Sequence, residues 1–453
     1  MKTEGRCNIM NNSNYSKIDG TMNSSINSNS FTIEKQKDSF CGKCGNKIED
    51  GIIYCKYCGE SLEKVRSKNI NFKNNGNDNL KMKEVLSSFS LSKCIISAAL
   101  SIVILFALSL IAKFTLLKSN SNFNDLINPL HIMLLSNFGS IEVYRNTFMS
   151  INVASMNIGL IALILLPITS LVISYRVILK DENISLENHV KNSLGVGIIY
   201  GLILAIISKL SQINLNLSSG LGQYNYSINY GINMASVLFK GFIIGFLVIL
   251  FLGLKKEYEE NNIYVGALRL IPKVLGIGYI LTLVVLVVMY FANINYLTDF
   301  GVSSYNSKVG VGLVISQLAF YIWSFANFIP TTVGSNTLSV VTLLRSKISF
   351  DVLLILGAFM ALSILIFIIV GCKLESKYKD KGIKSVLIFS IFYAIIMGIL
   401  GVLTLLYISD TAVSIVSNIG SMQMGFNMIV GVITSFIYSF ITTLIGFKLN
   451  ISN

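Results

Sequence analysis

Apolar runs separated by short polar breaks dominate the chain from Cys94 onward. Stretches near the ~20 residues that cross a bilayer occur at 94–117, 153–179, 194–210, 234–254, 270–292, 309–329, 351–372, 385–407 and 426–447. Nine crossings would put the lysine-rich loop "KLESKYKDKGIK" (373–384) on the side opposite the other basic loops, against the tendency of Lys and Arg to collect on the cytoplasmic face. Letting 309–329 enter and leave from the outer side, or lie in the outer interface, removes the conflict. Loops 180–193, 255–269 and 373–384 then all face inward, and together they hold ten Lys and Arg. The pattern therefore predicts an all-α polytopic membrane protein with eight transmembrane helices and one re-entrant or interfacial segment; nine helices are the alternative.

Eight spans also divide into two sets of four, beginning near 94, 153, 194 and 234 and near 270, 351, 385 and 426. Each set has a long outer loop after its first span. The first loop contains "DLINPLHIMLLSNFG" and the second contains Trp323 and Pro330. This order suggests a 4+4 parallel repeat, an arrangement that recurs in transporter folds, with membrane halves at 93–269 and 270–453.

Upstream of the first span the pattern changes. Residues 1–39 are rich in Asn and Ser and read as a disordered tail, while 63–92 form a polar, basic linker. No apolar stretch of signal-peptide type precedes them, so the N-terminus is expected in the cytosol. Between tail and linker, residues 40–62 contain "CGKCGNKIEDGIIYCKYCG". Each C-x-x-C turn can offer two sulfurs to one ion. Asp50-Gly51 is the preferred dipeptide of a two-residue hairpin that would bring the two turns together. Gly45 and Gly59 can take the backbone conformation that points N–H groups at sulfur. A redox pair would need a βαβ setting that is absent, and a catalytic zinc site would need an open coordination position.

This stretch resembles the short N-terminal zinc ribbons of bacterial zinc-ribbon-containing membrane proteins. The resemblance covers residues 40–62 alone. It implies a small β-hairpin zinc ribbon with one structural Zn2+ held by Cys41, Cys44, Cys55 and Cys58, and it implies no particular activity. A segment this short has little core, so the metal would supply its stability, on the order of 10 to 16 kcal/mol in small zinc peptides.

Composition agrees with the membrane assignment: 53% of residues are hydrophobic, 13% are charged, and the mean hydropathy is +0.66. The net charge of +13 would suit nucleic acid, but the lysines cluster in the loops between spans. The ribbon itself mixes Lys43, Lys47 and Lys56 with Glu49, Asp50 and Glu60. No basic face stands out, which argues against nucleic acid as a partner.

The spans hold few ionisable groups. No Asp or Glu lies mid-span, which disfavours coupling through a buried carboxylate, and no P-loop, H-E-x-x-H or G-x-S-x-G motif occurs. Lys240 lies deepest and is expected to snorkel to the surface. Lys113, Arg176, Lys209 and Lys273 read as interface anchors. His131 and His189 fall on opposite sides of the membrane and read as surface or interface residues. Asn157, Gln317 and Asn327 are expected to bond between helices, and Gly197/Gly201 with Gly241/Gly245 to let helices approach. The expectation is a non-enzymatic, multi-pass protein of the cytoplasmic membrane, in contact with membrane lipids, whose ribbon engages a cytosolic or membrane protein. A permease or lipid-handling transporter is the alternative.

Overall fold

The computed structural model describes residues 39–40, 44, 46–48, 57–58, 90–116, 128–147, 150–180, 185–218, 225–255, 258, 262–292, 308–333, 336–340, 342, 350–408 and 422–451. They belong to two compact units, Met1–Asp78 and Asn79–Asn453. In the first, β1 (Ser39–Phe40) pairs antiparallel with β2 (Lys47–Ile48), Phe40 opposite Lys47. The tail, nearly all of the linker and the Asp50-Gly51 turn lie outside the described residues.

The second unit is mostly helical. Among the described residues eight helices are long and apolar enough to cross a membrane: Leu91–Thr115, Ile161–Leu179, Leu186–Leu210, Met234–Leu252, Ile263–Phe291, Leu353–Lys381, Ile383–Leu403 and Met428–Leu449. The chain runs through α1 (Leu91–Leu116), α2 (Pro129–Ser136), β3 (Ser140–Thr147), β4 (Ser150–Ile158) and α3 (Leu165–Ser174), which is entered by a 3-10 turn at Ile161–Ile164. It continues through α4 (Leu186–Leu210), β5 (Ile213–Ser218), β6 (Asn225–Ile232) and α5 (Met234–Leu252). The same succession then recurs: α6 (Ile263–Phe291), α7 (Lys308–Ala326), β7 (Thr331–Val333), β8 (Asn336–Leu338) and α8 (Phe350–Tyr378). It ends with α9 (Ile383–Leu403), β9 (Leu406–Ile408), β10 (Met422–Gly425) and α10 (Met428–Ile451).

Short polar side chains set where several helices begin. Asn128, Ser185, Asn233 and Asn262 each accept a hydrogen bond from a backbone N–H of the first turn of α2, α4, α5 and α6, satisfying a donor that the helix itself leaves open.

The segments that the sequence reads as outer loops contain strands among their described residues. Their strands form one eight-stranded sheet in the order β5-β6-β3-β4-β9-β10-β7-β8, antiparallel at every pairing. The all-α expectation therefore needs this sheet added to it. Residues 153–158, which sequence hydropathy assigns to a span, belong instead to β4, where Ala154 packs with Ile141 and Val143. The hairpins follow α1, α4, α6 and α9, so these four helices end on the sheet side. The ends of α3, α5 and α8 and the starts of α4, α6 and α9 then lie on the other side, the parity that eight crossings give.

The two halves also match in detail. After α2 the chain turns through Asn137 and Phe138, with Phe138 at φ 59°; after α7 it turns through Asn327 and Phe328, with Phe328 at φ 62°. In each turn the Phe N–H reaches back three residues and the next N–H reaches back five: Phe138 to Leu135 O (2.9 Å) and Gly139 to Leu134 O (3.1 Å), Phe328 to Phe325 O (2.8 Å) and Ile329 to Ser324 O (3.2 Å). Such a left-handed helix end satisfies carbonyls the helix leaves open. Asn137 donates from Nδ2 to Met133 O at 2.9 Å, and Asn327 donates to Trp323 O at 2.6 Å. Farther on, Gly231-Ile232-Asn233-Met234 opens α5 and Gly425-Phe426-Asn427-Met428 opens α10, both asparagines accepting from first-turn N–H groups.

Residues 309–329 are neither an outer-surface helix nor a ninth candidate span. From Ile315 to Asn327 the chain is buried without interruption. Val311 and Ile315 cluster with Leu286 and Met289 near the sheet-side end of α6, whereas Trp323 packs on Gly278 deeper in the same helix. The segment thus enters from the sheet side, turns at Phe328 and returns through β7. Glycines bring α4 and α5 together as expected: a Cβ on Gly201 would lie 2.6 Å from Leu238 O, and one on Gly245 would lie 3.2 Å from the Gly197 Cα.

Candidate functional site

The richest polar constellation lies where the halves join beneath the sheet. Lys240 is carried by α5, about two turns below the Asn233 cap, and its ammonium does not snorkel to water. It donates to Phe138 O at 2.7 Å, to Asn157 Oδ1 at 2.8 Å and to Ser140 Oγ at 3.4 Å. The left-handed turn at Phe138 presents that carbonyl at the C-terminal end of α2, where the helix dipole favours a cation. Among the described residues no carboxylate pairs with Lys240, whose hydrogen-bond partners there are neutral oxygens.

Asn157 passes the connection across the seam, its Nδ2 donating to Leu405 O at 2.8 Å. Gln317 on α7 makes the matching link in the other direction: its Oε1 accepts from the Ile161 N–H at 3.0 Å and its Nε2 donates to Thr404 O at 3.1 Å. The Tyr321 hydroxyl lies within hydrogen-bond distance of Thr404 O (2.8 Å) and Met424 O (3.0 Å). Backbone pairing of β4 with β9 seals the same line, Asn157 standing opposite Tyr407. Gly159 is needed here, because a Cβ would strike the Leu403 carbonyl and Thr404. Gln317 therefore bonds between helical elements, as expected, whereas Asn157 bonds from strand β4 rather than from a helix; both do so across the boundary between halves. Asn327 stays within the second half, its Oδ1 accepting from Ser363 Oγ (3.0 Å), which in turn accepts from the Tyr438 hydroxyl (2.8 Å). In the first half Tyr200 donates directly to Asn137 Oδ1 at 3.0 Å.

Other sequence candidates fall elsewhere. Both histidines are buried rather than on the surface. His131 Nε2 meets Ser211 O at 2.9 Å and its Nδ1 accepts from the Asn128 N–H at 3.3 Å; burial pulls its pKa below the ordinary 6.5, partly offset by the Ser211 carbonyl. His189 Nε2 meets Leu250 O at 3.1 Å near the opposite side. Arg176 and Lys209 are exposed near helix ends, consistent with anchoring, whereas Lys273 is exposed about three turns inside α6. On the sheet, the Tyr144 hydroxyl donates to Glu142 Oε2 at 2.6 Å, and this bond holds the Tyr144 hydroxyl above its usual pKa. Asn233 Nδ2 occupies the other Glu142 oxygen at 2.6 Å.

In the N-terminal unit, the first C-x-x-C pair begins directly after β1 and ends three residues before β2. Cys44 is exposed, with Asn46 Nδ2 donating toward its sulfur at 3.7 Å, and Cys58 is half-buried. Cys41 and Cys55 lie outside the described residues. Among the described residues no three potential metal ligands come together.

Sequence reasoning missed Phe138, Ser140, Tyr321 and Thr404 as parts of the seam. An internal signal could have found the Phe138 turn, "SNFG" against "ANFI", with "GINM" against "GFNM" marking the same repeat; it reaches none of Ser140, Tyr321 and Thr404. No family model, no curated protein and no solved structure matches the chain.

Proposed function

We propose that the chain is a non-enzymatic, multi-pass protein of the cytoplasmic membrane whose N-terminal cysteine ribbon faces the cytosol. The ribbon holds one structural Zn2+ through Cys41, Cys44, Cys55 and Cys58 and serves as the docking module for a cytosolic or membrane protein. The observation that carries this reading is the pair β1 and β2 flanking the first C-x-x-C turn, with the Asn46 amide directed at the Cys44 sulfur. A zinc knuckle needs a tight turn and N–H donors for its thiolates. The cytosolic assignment is supported by Lys180, Lys191, Lys255, Lys379, Lys381 and Lys384, all on the side away from the sheet. Metal analysis of the purified full chain should give one zinc per chain, lost on chelation. Cross-linking from Lys43, Lys47 and Lys56 should capture a defined partner that the zinc-free chain releases; zinc-free protein with unchanged capture would refute the module.

A permease or lipid-handling transporter is favoured by a different observation, the recurrence of four helices and an inserted helical segment in each half around a polar seam. Parallel repeats of this kind recur in transporter folds, with the site between repeats. Uptake or lipid flipping in proteoliposomes, abolished by Gln317→Ala and retained without residues 1–62, would support transport. Flipping indistinguishable from empty vesicles would reject it.

A further inference from the structure

The order of the strands makes the two ends of the sheet complementary. Matching the turns pairs Phe138 with Phe328, and hence Ser140 with Pro330. The β3–β4 register sets Ser140 opposite Asn157, and the β7–β8 register, Thr331 opposite Leu338, extends to Pro330 opposite Ser339. Ser339 is therefore the counterpart of Asn157. Likewise β5 and β9 each start three residues after the end of their helix, Leu210 and Leu403, so Asn214 is the counterpart of Tyr407.

At the seam, a strand of the β4 kind already pairs with a strand of the β5 kind: Asn157 stands opposite Tyr407 and Met156 opposite Ile408. The strands left at the two ends of the sheet are β8, of the β4 kind, and β5 itself. Each end carries the backbone pattern that its opposite kind has already accepted once within the molecule. Strand edges without a neighbouring strand recruit other strands; just after β8 the Ser339 N–H donates to Thr342 Oγ1 at 2.6 Å, a local contact that an incoming strand displaces.

We infer that β8 of one chain pairs with β5 of a second copy, Ser339 opposite Asn214 and Leu338 opposite Leu215. Two such pairings close a symmetric dimer and leave no edge free. A second copy is favoured over closure within one chain by the helices below. Under the existing seam Leu247 and Phe251 of α5 pack against the cluster that holds Ala267 and Leu270 of α6; their counterparts α10 and α1 share no hydrophobic cluster among the described residues. Instead α10 presents Ile429, Ile433, Ile437, Ile441 and Ile445 exposed at four-residue spacing, and α1 presents Val103, Ile111 and Phe114.

Differently tagged chains carrying Asn214→Cys and Ser339→Cys are co-expressed in membranes, oxidised, and mapped by mass spectrometry. The expected product is an interchain disulfide joining positions 214 and 339, at least about ten times more abundant than with Thr337→Cys, one strand repeat out of register. Native mass spectrometry of the unmodified protein should show two chains. A disulfide confined to one chain carrying both substitutions, or a single-chain species throughout, overturns the pairing; the first outcome assigns the edges to each other and the second leaves them to lipid and solvent.

Discussion

Replacing Lys240 by Met keeps most of the stem and deletes the ammonium. The Phe138 carbonyl and the Asn157 amide oxygen then lose donors at 2.7 and 2.8 Å. Hydrogen bonds to a charged donor contribute about 1.5–3 kcal/mol each, and a buried acceptor left alone costs about 1–3 kcal/mol. Against this stands the relief of no longer holding a charge away from water, which is several kcal/mol for an ion. Because two strong bonds and a helix C-terminus favour the ammonium, the Met variant should lose about 2–4 kcal/mol. Denaturant unfolding in bicelles, followed by circular dichroism and by fluorescence of Trp323, the single tryptophan, measures it. A double-mutant cycle with Asn157→Leu should give a coupling of about 1 kcal/mol or more, as neighbours in one network do. A Met variant as stable as the parent would show that the lysine snorkels and would break the link between α5 and the turn after α2.

The paired turns give unequal outcomes for one substitution. Glycine relieves about 1–2 kcal/mol of left-handed strain at either phenylalanine, but Phe138 is fully buried whereas Phe328 is 40% exposed. Phe138→Gly should cost about 2–3 kcal/mol net of that relief, since truncating a buried ring costs about 3–5, and Phe328→Gly should lie near zero; equal losses in unfolding experiments would contradict the turn assignment. Gly201→Leu should separate α4 from α5 and abolish folded yield by size-exclusion profile, while substitution at Gly276, where a Cβ meets nothing, should not. His131 is held neutral by burial, so the unfolded chain binds its proton more readily. Stability should be full above about pH 6.5 and fall on acidification, and His131→Gln should flatten the slope between pH 7 and 5; an unchanged slope would place the titration elsewhere.

Hydropathy made the eight spans legible because each is a local property of twenty or so consecutive residues. The small-residue spacing at Gly197, Gly201, Gly241 and Gly245 was legible for the same reason. The sheet was not, because its strands are short and pair across the chain, as Asn157 does with Tyr407. Apolar residues at 153–158 continue without a break into a helix, so composition alone extends the span over a strand. Phe138 and Phe328 hid the turns, since a left-handed helix end is ordinarily signalled by glycine. The direction of the Lys240 side chain depends on a carbonyl 102 residues away in sequence, which no local rule reports. Gln317 was visible as a polar residue in an apolar run, but its partners, Ile161 and Thr404, come from the other half and from another helix.

Side-specific labelling tests the architecture most directly. Single cysteines replace Tyr407 on the sheet and Lys379 on the turn between α8 and α9, and intact cells are treated with a membrane-impermeant thiol reagent. Tyr407→Cys should label from outside and Lys379→Cys only after permeabilisation. Labelling of both from the same side would contradict eight crossings with the sheet on one face and the basic turns on the other.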